Sequence, residues 1–391
     1  MTTLRTRLSY FWQNPLCTTP YTTGVSLHSH TSHSLETLSL VHDACRFVPL
    51  VDRMVRGYDR SCRRNRGFAL DFETAHWRPP LVPRMAWDLE QAQIRSLGLR
   101  ALISITDHDD MGAPLLLRTI PSARHIPLSL EWSVPFGKTA FHLGVHNLPS
   151  ATAIAWMERF TRFTAHPEET GLGRLLQELD SMPQALVVLN HPQWDLFSIG
   201  EAQHARELER FLLQYNRYMH AFELNGLRHA RENHEVVGLA QRWQQLVVSG
   251  GDRHGLEPNA NLNLTNASSF TEYVHEVRVE RRSHVLFMPQ YKQPWRQRIL
   301  DSTIDAVSDH MHFSPGWQRW DERAFHPDAD GALRPLSELW TDGRPPLPLR
   351  ITLQGVRLFR SRAAARALGF ALKGLSRTSR GGLEETVGDF A

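Results

Sequence analysis

Residues 24–36 read GVSLHSHTSHSLE: a short apolar run at Gly24–Leu27, then His28, His30 and His33, then Glu36. A β-prone run that ends in imidazoles and an acid describes a strand and the loop at its C-terminal end, and this reading decides the fold. Alone it is weak, because 21 histidines in 391 residues produce about one His-x-His pair by chance. Two pairs occur, His28/His30 and His310/His312. The second stands in the turn-rich SDHMHFSPG without other ligating residues; the first opens a series.

Further short apolar runs follow in RALISIT, HIPLSLEW, AFHLGVHN, ALVVLN, AFELNG and LVVSGG. Between several of them lie amphipathic stretches such as MAWDLEQAQIRSLGLR, GLGRLLQELDSMP and NHEVVGLAQRWQQ, with apolar residues at helical spacing. This alternation predicts a mainly parallel α/β sheet, open or closed into a barrel. The metal-capable side chains argue for closure: Asp107 and His108 end the second run, Glu131 the third, and His191 follows the fifth. Glu223 and Asn225 lie on the sixth, and Asp252 and His254 close the seventh. Such residues at successive strand ends form a ring where the C-terminal ends of a β/α barrel converge. The i, i+2 spacing of His28/His30 and of Asp252/His254 turns both members of each pair to one face.

Composition narrows the alternatives little. A charged fraction of 22% and a hydrophobic fraction of 41% describe an ordinary globular chain. A formal charge of +3 makes no global case for nucleic acid or membrane binding. Cys17, Cys45 and Cys62 form no CxxC, which suits a reducing compartment. The first 20 residues lack the apolar core of a signal peptide, and no later run reaches membrane-spanning length. The expectation is a cytoplasmic protein.

In order, HSHT, ITDHD, the glutamate of LSLEW, NHP and GGDRHG resemble the successive motifs of the PHP (polymerase and histidinol phosphatase) superfamily, over about Gly24 to Pro258. The resemblance implies a distorted (β/α)7 TIM-like barrel whose di- or trinuclear metal centre hydrolyses phosphoesters. It carries metal-ligand roles to His28, His30, His108, Glu131, His191, Asp252 and His254, and makes Asp107 a partner that orients an imidazole. Asp107, Glu131 and His191 are the candidate catalytic residues. Two places depart from the pattern. The ligating Asp many members carry five residues past the second histidine is Leu35 here, so Glu36 is the candidate, with His33 in reserve. A histidine is also expected after the Glu131 strand; His142, returned by the turn PFGKT, is preferred to His146.

The chemistry follows from the donors. Phosphate charge repels hydroxide, and two or three divalent cations both neutralise it and lower the pKa of water. Histidine and carboxylate without thiolate suit Mn, Zn or Fe. A metal-bridging hydroxide is the expected nucleophile, with Glu131 as the bridge between cations. A small phosphorylated substrate or nucleotide is the expected partner, with a nucleic acid end as a further option and no membrane. Two other classes remain open at this point: an amidohydrolase, although no lysine falls on the fourth strand to bridge metals, and a metal-binding scaffold without catalysis.

Substrate contacts are less legible. Lys138 and Arg253 are candidates for phosphate. HEVRVERRSH reads as a solvated helix face rather than a basic patch, and Trp12, Trp77, Trp87 and Trp132 as packing residues. The expected domains are a barrel over 1–270, carrying an insertion at about 37–84 as a lid or specificity element, and an extension over 271–391 that partly completes the barrel. Its end, SRGGLEETVGDFA, reads as a frayed tail.

Overall fold

The computed structural model describes residues 5–38, 49–340 and 343–358. The chain divides into two compact units: Met1–Ser34 with Leu81–Arg298, and Leu35–Pro80 with Ile299–Ala391.

Ten strands among the described residues build the first unit: β1 (Arg5–Tyr10), β2 (Thr23–Ser26), β3 (Arg100–Ile103), β4 (Leu128–Phe136), β5 (Thr139–Leu148), β6 (Leu186–Leu189), β7 (Ala221–Asn225), β8 (Leu246–Gly250), β9 (Asn261–Thr265) and β10 (Arg282–Phe287). One sheet has the order β1, β10, β9, β2, β3; the other runs β8, β7, β6, β5, β4.

Where helices Pro83–Ser96, Glu201–Tyr215 and Ala230–Trp243 separate consecutive strands, those strands pair in parallel, as the alternation predicts. The mainly parallel sheet fails elsewhere. β4 and β5 are antiparallel, with Glu131 opposite Gly144 and Ser133 opposite His142, because Gly137 at φ +59° turns the chain within two residues and leaves no room for a crossover. β9 runs antiparallel to both β2 and β10. No continuous ladder among the described residues closes the sheets into one barrel. They meet instead at two isolated bridges, Ser29 with Arg253, just past the ends of β2 and β8, and His108, past the end of β3, with Glu131 inside β4.

The core lies under that end. Val25, Leu27, Leu186, Val188, Leu246 and Val248 pack against Phe270, Tyr273, Val274 and Val277 of helix Phe270–Arg278. Each large apolar side chain so buried contributes about 1.5–3 kcal/mol. Ser269 caps this helix by accepting from the amide of Glu272. The segment HEVRVERRSH therefore ends a helix and begins β10. Its Arg278 donates to the carbonyls of Met182, Ala185 and Asp180 rather than facing solvent.

In the second unit Glu36–Thr37, His76–Trp77, Ala324–Pro327 and Leu333–Pro335 form one antiparallel sheet. Insertion and extension thus belong to one unit, whereas residues 271–298 belong to the first. Helix Pro49–Arg66 and helix Leu347–Leu358 also lie here. Cys45, the stretch RSRAAARALGFALKGL and the closing tail fall mostly or wholly outside the described residues. No helix among those described is long and apolar enough to cross a membrane.

Candidate metal centre

Glu131, fully buried on β4, sits among five imidazoles. Its Oε2 is 2.9 Å from His28 Nε2, 3.3 Å from His30 Nε2 and 3.3 Å from His108 Nδ1. Its Oε1 is 3.0 Å from His191 Nε2 and 3.2 Å from His142 Nδ1. Asp252 Oδ1 joins the first group, 3.5 Å from His28 Nε2 and 3.4 Å from His30 Nε2. The rings of His108 and His254 stack on His30 at 4.7 and 4.2 Å. Ring nitrogens and carboxylate oxygens converging in this way form groups that could hold a metal ion, such as His28, His30 and Glu131 or His108, Glu131 and His142.

The backbone is strained to achieve this. His28, His191 and Asp252 hold φ of 60°, 26° and 53°, the left-handed region that L-residues disfavour. Such conformations cost about 1–3 kcal/mol each and persist where the surroundings over-determine them. Here the surroundings are Asp252 N donating to His28 O at 2.7 Å and His30 N donating to Arg253 O at 3.0 Å, which lock the two ligand loops together.

A second layer orients the donors. Glu223 Oε1 lies 2.5 Å from His28 Nδ1, and its Oε2 accepts from His191 N at 2.9 Å and Asn225 Nδ2 at 3.0 Å. Asn225 Nδ2 also holds Asp252 Oδ2 at 3.1 Å, and Asn190 Nδ2 donates to Glu131 Oε1 at 2.9 Å. His254 Nδ1 is 2.8 Å from the carbonyl of Asp252. Glu223 is a positioning residue that the sequence reading placed on a strand without a role. The signal was its inward register with Asn225, two residues on.

The remaining expected residues fall in different surroundings. Asp107 orients no imidazole: its carboxylate accepts from the amide and hydroxyl of Thr31, at 2.5 and 2.8 Å, and so shapes the loop after His30. His33 Nδ1 lies 3.5 Å from Asp110, not at Glu131. His146 bonds Ser104 Oγ at 2.8 Å deeper in the core, leaving His142 beside Glu131. Arg253 is buried and donates to Glu90, Gly255 O and His30 O, so its guanidinium holds loops rather than phosphate. Lys138 is exposed at the turn of the β4–β5 hairpin. Glu36 lies in the second unit, buried on the short strand paired with His76–Trp77.

Burial and charge oppose each other across the cluster. Burial would raise the Glu131 carboxyl, yet His28, His142 and His108 hold it well below the usual range. Burial would lower the His28 imidazole, yet Glu131, Glu223 and Asp252 hold it well above. His142 is pushed down to about 4 by burial, against the pull of Glu131, and is therefore neutral at ordinary pH.

No protein-family model matches the chain, and no curated protein is significantly similar to it. Among solved structures 13 chains match. They include an amidohydrolase from Chromobacterium violaceum solved with bound sulfate and no metal (17% identity, TM-score 0.32, covering 56% of this chain and 92% of that one). PsfC from Pseudomonas syringae matches at 16% identity and TM-score 0.38, covering 56% and 87%. A protein of Bifidobacterium adolescentis inferred to be a metal-dependent phosphoesterase matches at 14% and 0.32, covering 51% and 92%. Likeness at this level carries no argument about activity.

Proposed function

We propose that the first unit is a metal-dependent phosphoesterase holding two or three divalent cations, with a phosphorylated small molecule, a nucleotide or a nucleic acid end as substrate. In this reading β2 to β8 are seven staves of a distorted barrel, brought round by the two bridges. The observation that carries it is the division of one carboxylate: Glu131 turns Oε2 toward His28 and His30 and Oε1 toward His142 and His191. That arrangement suits a bridging ligand, with Asp252 completing the first group and His30, His108 and His254 offering a further set of nitrogens. Cations bound there supply charge neutralisation for phosphate and acidify water.

The chain's own residues set the stage for this chemistry. Glu223 holds the Nδ1 proton of His28, so that Nε2 is the nitrogen that would give up its proton to a cation. Asn190 and Asn225 restrain Glu131 and Asp252 without adding charge. The strained ligand loops keep the donors in place before any ligand arrives.

The test is elemental analysis of the purified protein, with hydrolysis of an aryl phosphate measured on the same sample with and without Mn. Two or three metals per chain with Mn-stimulated turnover are expected, both lost when His28 and His30 are changed to Ala together while circular dichroism is retained. Unchanged metal content in that double variant would sink the assignment. Metal-replete protein inert on mono- and diesters would favour a scaffold, and release of ammonia from amides an amidohydrolase.

A further inference from the structure

Arg228 lies in the turn after β7, at the strand end that carries Glu223 and Asn225. Asn225 indexes this turn to the metal centre: its Oδ1 accepts from Leu227 N at 2.8 Å, while its Nδ2 holds Glu223 and Asp252. Arg298 adds a second clamp, donating to the carbonyls of Gly226 and Arg228.

The Arg228 side chain is 14% exposed, with its guanidinium carbon 3.6 Å above the centre of the Trp194 ring. Trp194 in turn packs on His191 at 4.9 Å between centroids, so the cation stands one ring's width from a ligand of Glu131. Its Nε is buried without a hydrogen-bond partner. The carboxylate it faces, Glu232, is 3.9 Å away, beyond hydrogen-bond range, and Glu232 Oε1 is likewise buried and unpartnered. A guanidinium stays charged at any ordinary pH, and buried charge is normally both paired and hydrogen-bonded. Stacking on indole attracts the cation without engaging an N–H, and so leaves Nε unsatisfied.

We infer that Arg228 grips the substrate phosphate beside the metal centre and makes the site favour monoesters over diesters. The guanidinium fork matches two oxygens of one phosphate. A monoester has three terminal oxygens and can serve both the cations and the fork. A diester has only two, both needed at the cations. The inference rests on the phosphoesterase reading, and the experiment separates the two.

Mn-loaded full-length protein, Arg228→Met and Arg228→Lys are compared on p-nitrophenyl phosphate and bis(p-nitrophenyl) phosphate, with inorganic phosphate binding followed by calorimetry and metal content by elemental analysis. For Arg228→Met, kcat/KM on the monoester should fall about 100-fold, as loss of a charged hydrogen-bonded contact implies. Its diester rate should stay within about threefold, inside the range of a surface effect. Phosphate binding should weaken about tenfold or more, metal content should stay unchanged, and millimolar guanidinium should restore part of the monoester rate. Arg228→Lys should retain charge and recover only part of the discrimination. Equal losses on both esters, unchanged phosphate affinity, or loss of metal from both variants would overturn the inference. Wild-type protein that holds metal yet neither binds phosphate nor cleaves either ester overturns the phosphoesterase reading itself, and this inference with it.

Discussion

His28 directs Nδ1 to Glu223 across 2.5 Å and Nε2 to Glu131 across 2.9 Å, so one imidazole joins an orienting carboxylate to a ligating one. The outer contact fixes which nitrogen carries the proton. Glu223→Gln should therefore lower metal affinity by about 10–100-fold, the usual range for such partners. A competitive chelator titration reads the effect, and unchanged affinity would show that the His28 loop orients the ring by itself.

A steric route leads to the same carboxylate. A Cβ built on Gly250 would lie within bonding distance of Glu223 Oε1 and 2.3 Å from its Cδ. Glu223 is buried and anchored at both oxygens, so it cannot step aside freely. Gly250→Ala is expected to fold and to weaken metal binding at least as much as Glu223→Gln, about 10-fold or more. Full affinity in the alanine variant, by the same titration, contradicts the tight packing described.

Asp107 supplies a pH signature. Burial pushes its carboxyl up to about 6 from the ordinary 3.8. The folded chain thus keeps a proton there that the unfolded chain releases near pH 4. The stability this group contributes is complete below about pH 4 and disappears as pH rises through 6. Asparagine cannot titrate, so Asp107→Asn should gain on the wild type by roughly 3 kcal/mol between pH 4 and 7. Urea midpoints at several pH values measure the difference, and a constant offset across that range refutes it.

For Arg253 the expectation is structural. Its Nε is 3.1 Å from Glu90 Oε1, both side chains being buried. Helix Pro83–Ser96 presents Glu90 on the same inward face as Ala86 and Ile94, where an unpaired carboxylate is costly. Arg253→Met should destabilise the fold by about 3–5 kcal/mol. Phosphate affinity lost at unchanged stability would reassign the residue to ligand binding.

Much of the centre was visible in the chain because period and position coincide there. His28/His30 and Asp252/His254 follow apolar runs at i, i+2 spacing, so local pattern assigns them to strand ends, whereas Glu131, read as the end of a run, lies inside β4 (Leu128–Phe136), which continues beyond it into the hairpin. The role of Glu223 was not visible, since its partner His28 is distant in sequence and an inward acid on a strand looks the same with or without it. Asp107 misled because its neighbour His108 suggested an imidazole contact, while its real partner, Thr31, is set by how two loops fold together. β9, in NLNLT, and β1 escaped notice because their polar residues interrupt the apolar runs. The strand pairing of His76–Trp77 with Ala324–Phe325 unites segments roughly 250 residues apart, which no local propensity encodes.

β1 pairs in parallel with β10, Arg5 opposite Arg282 and Tyr10 opposite Phe287. After β1 emerges from the ribosome it must therefore wait until the roughly 280 residues that lead to and include β10 have been made. At typical elongation rates that delay is roughly 15–60 s. Throughout it, β1 has no mate. Assembly of this sheet is thus timed by synthesis.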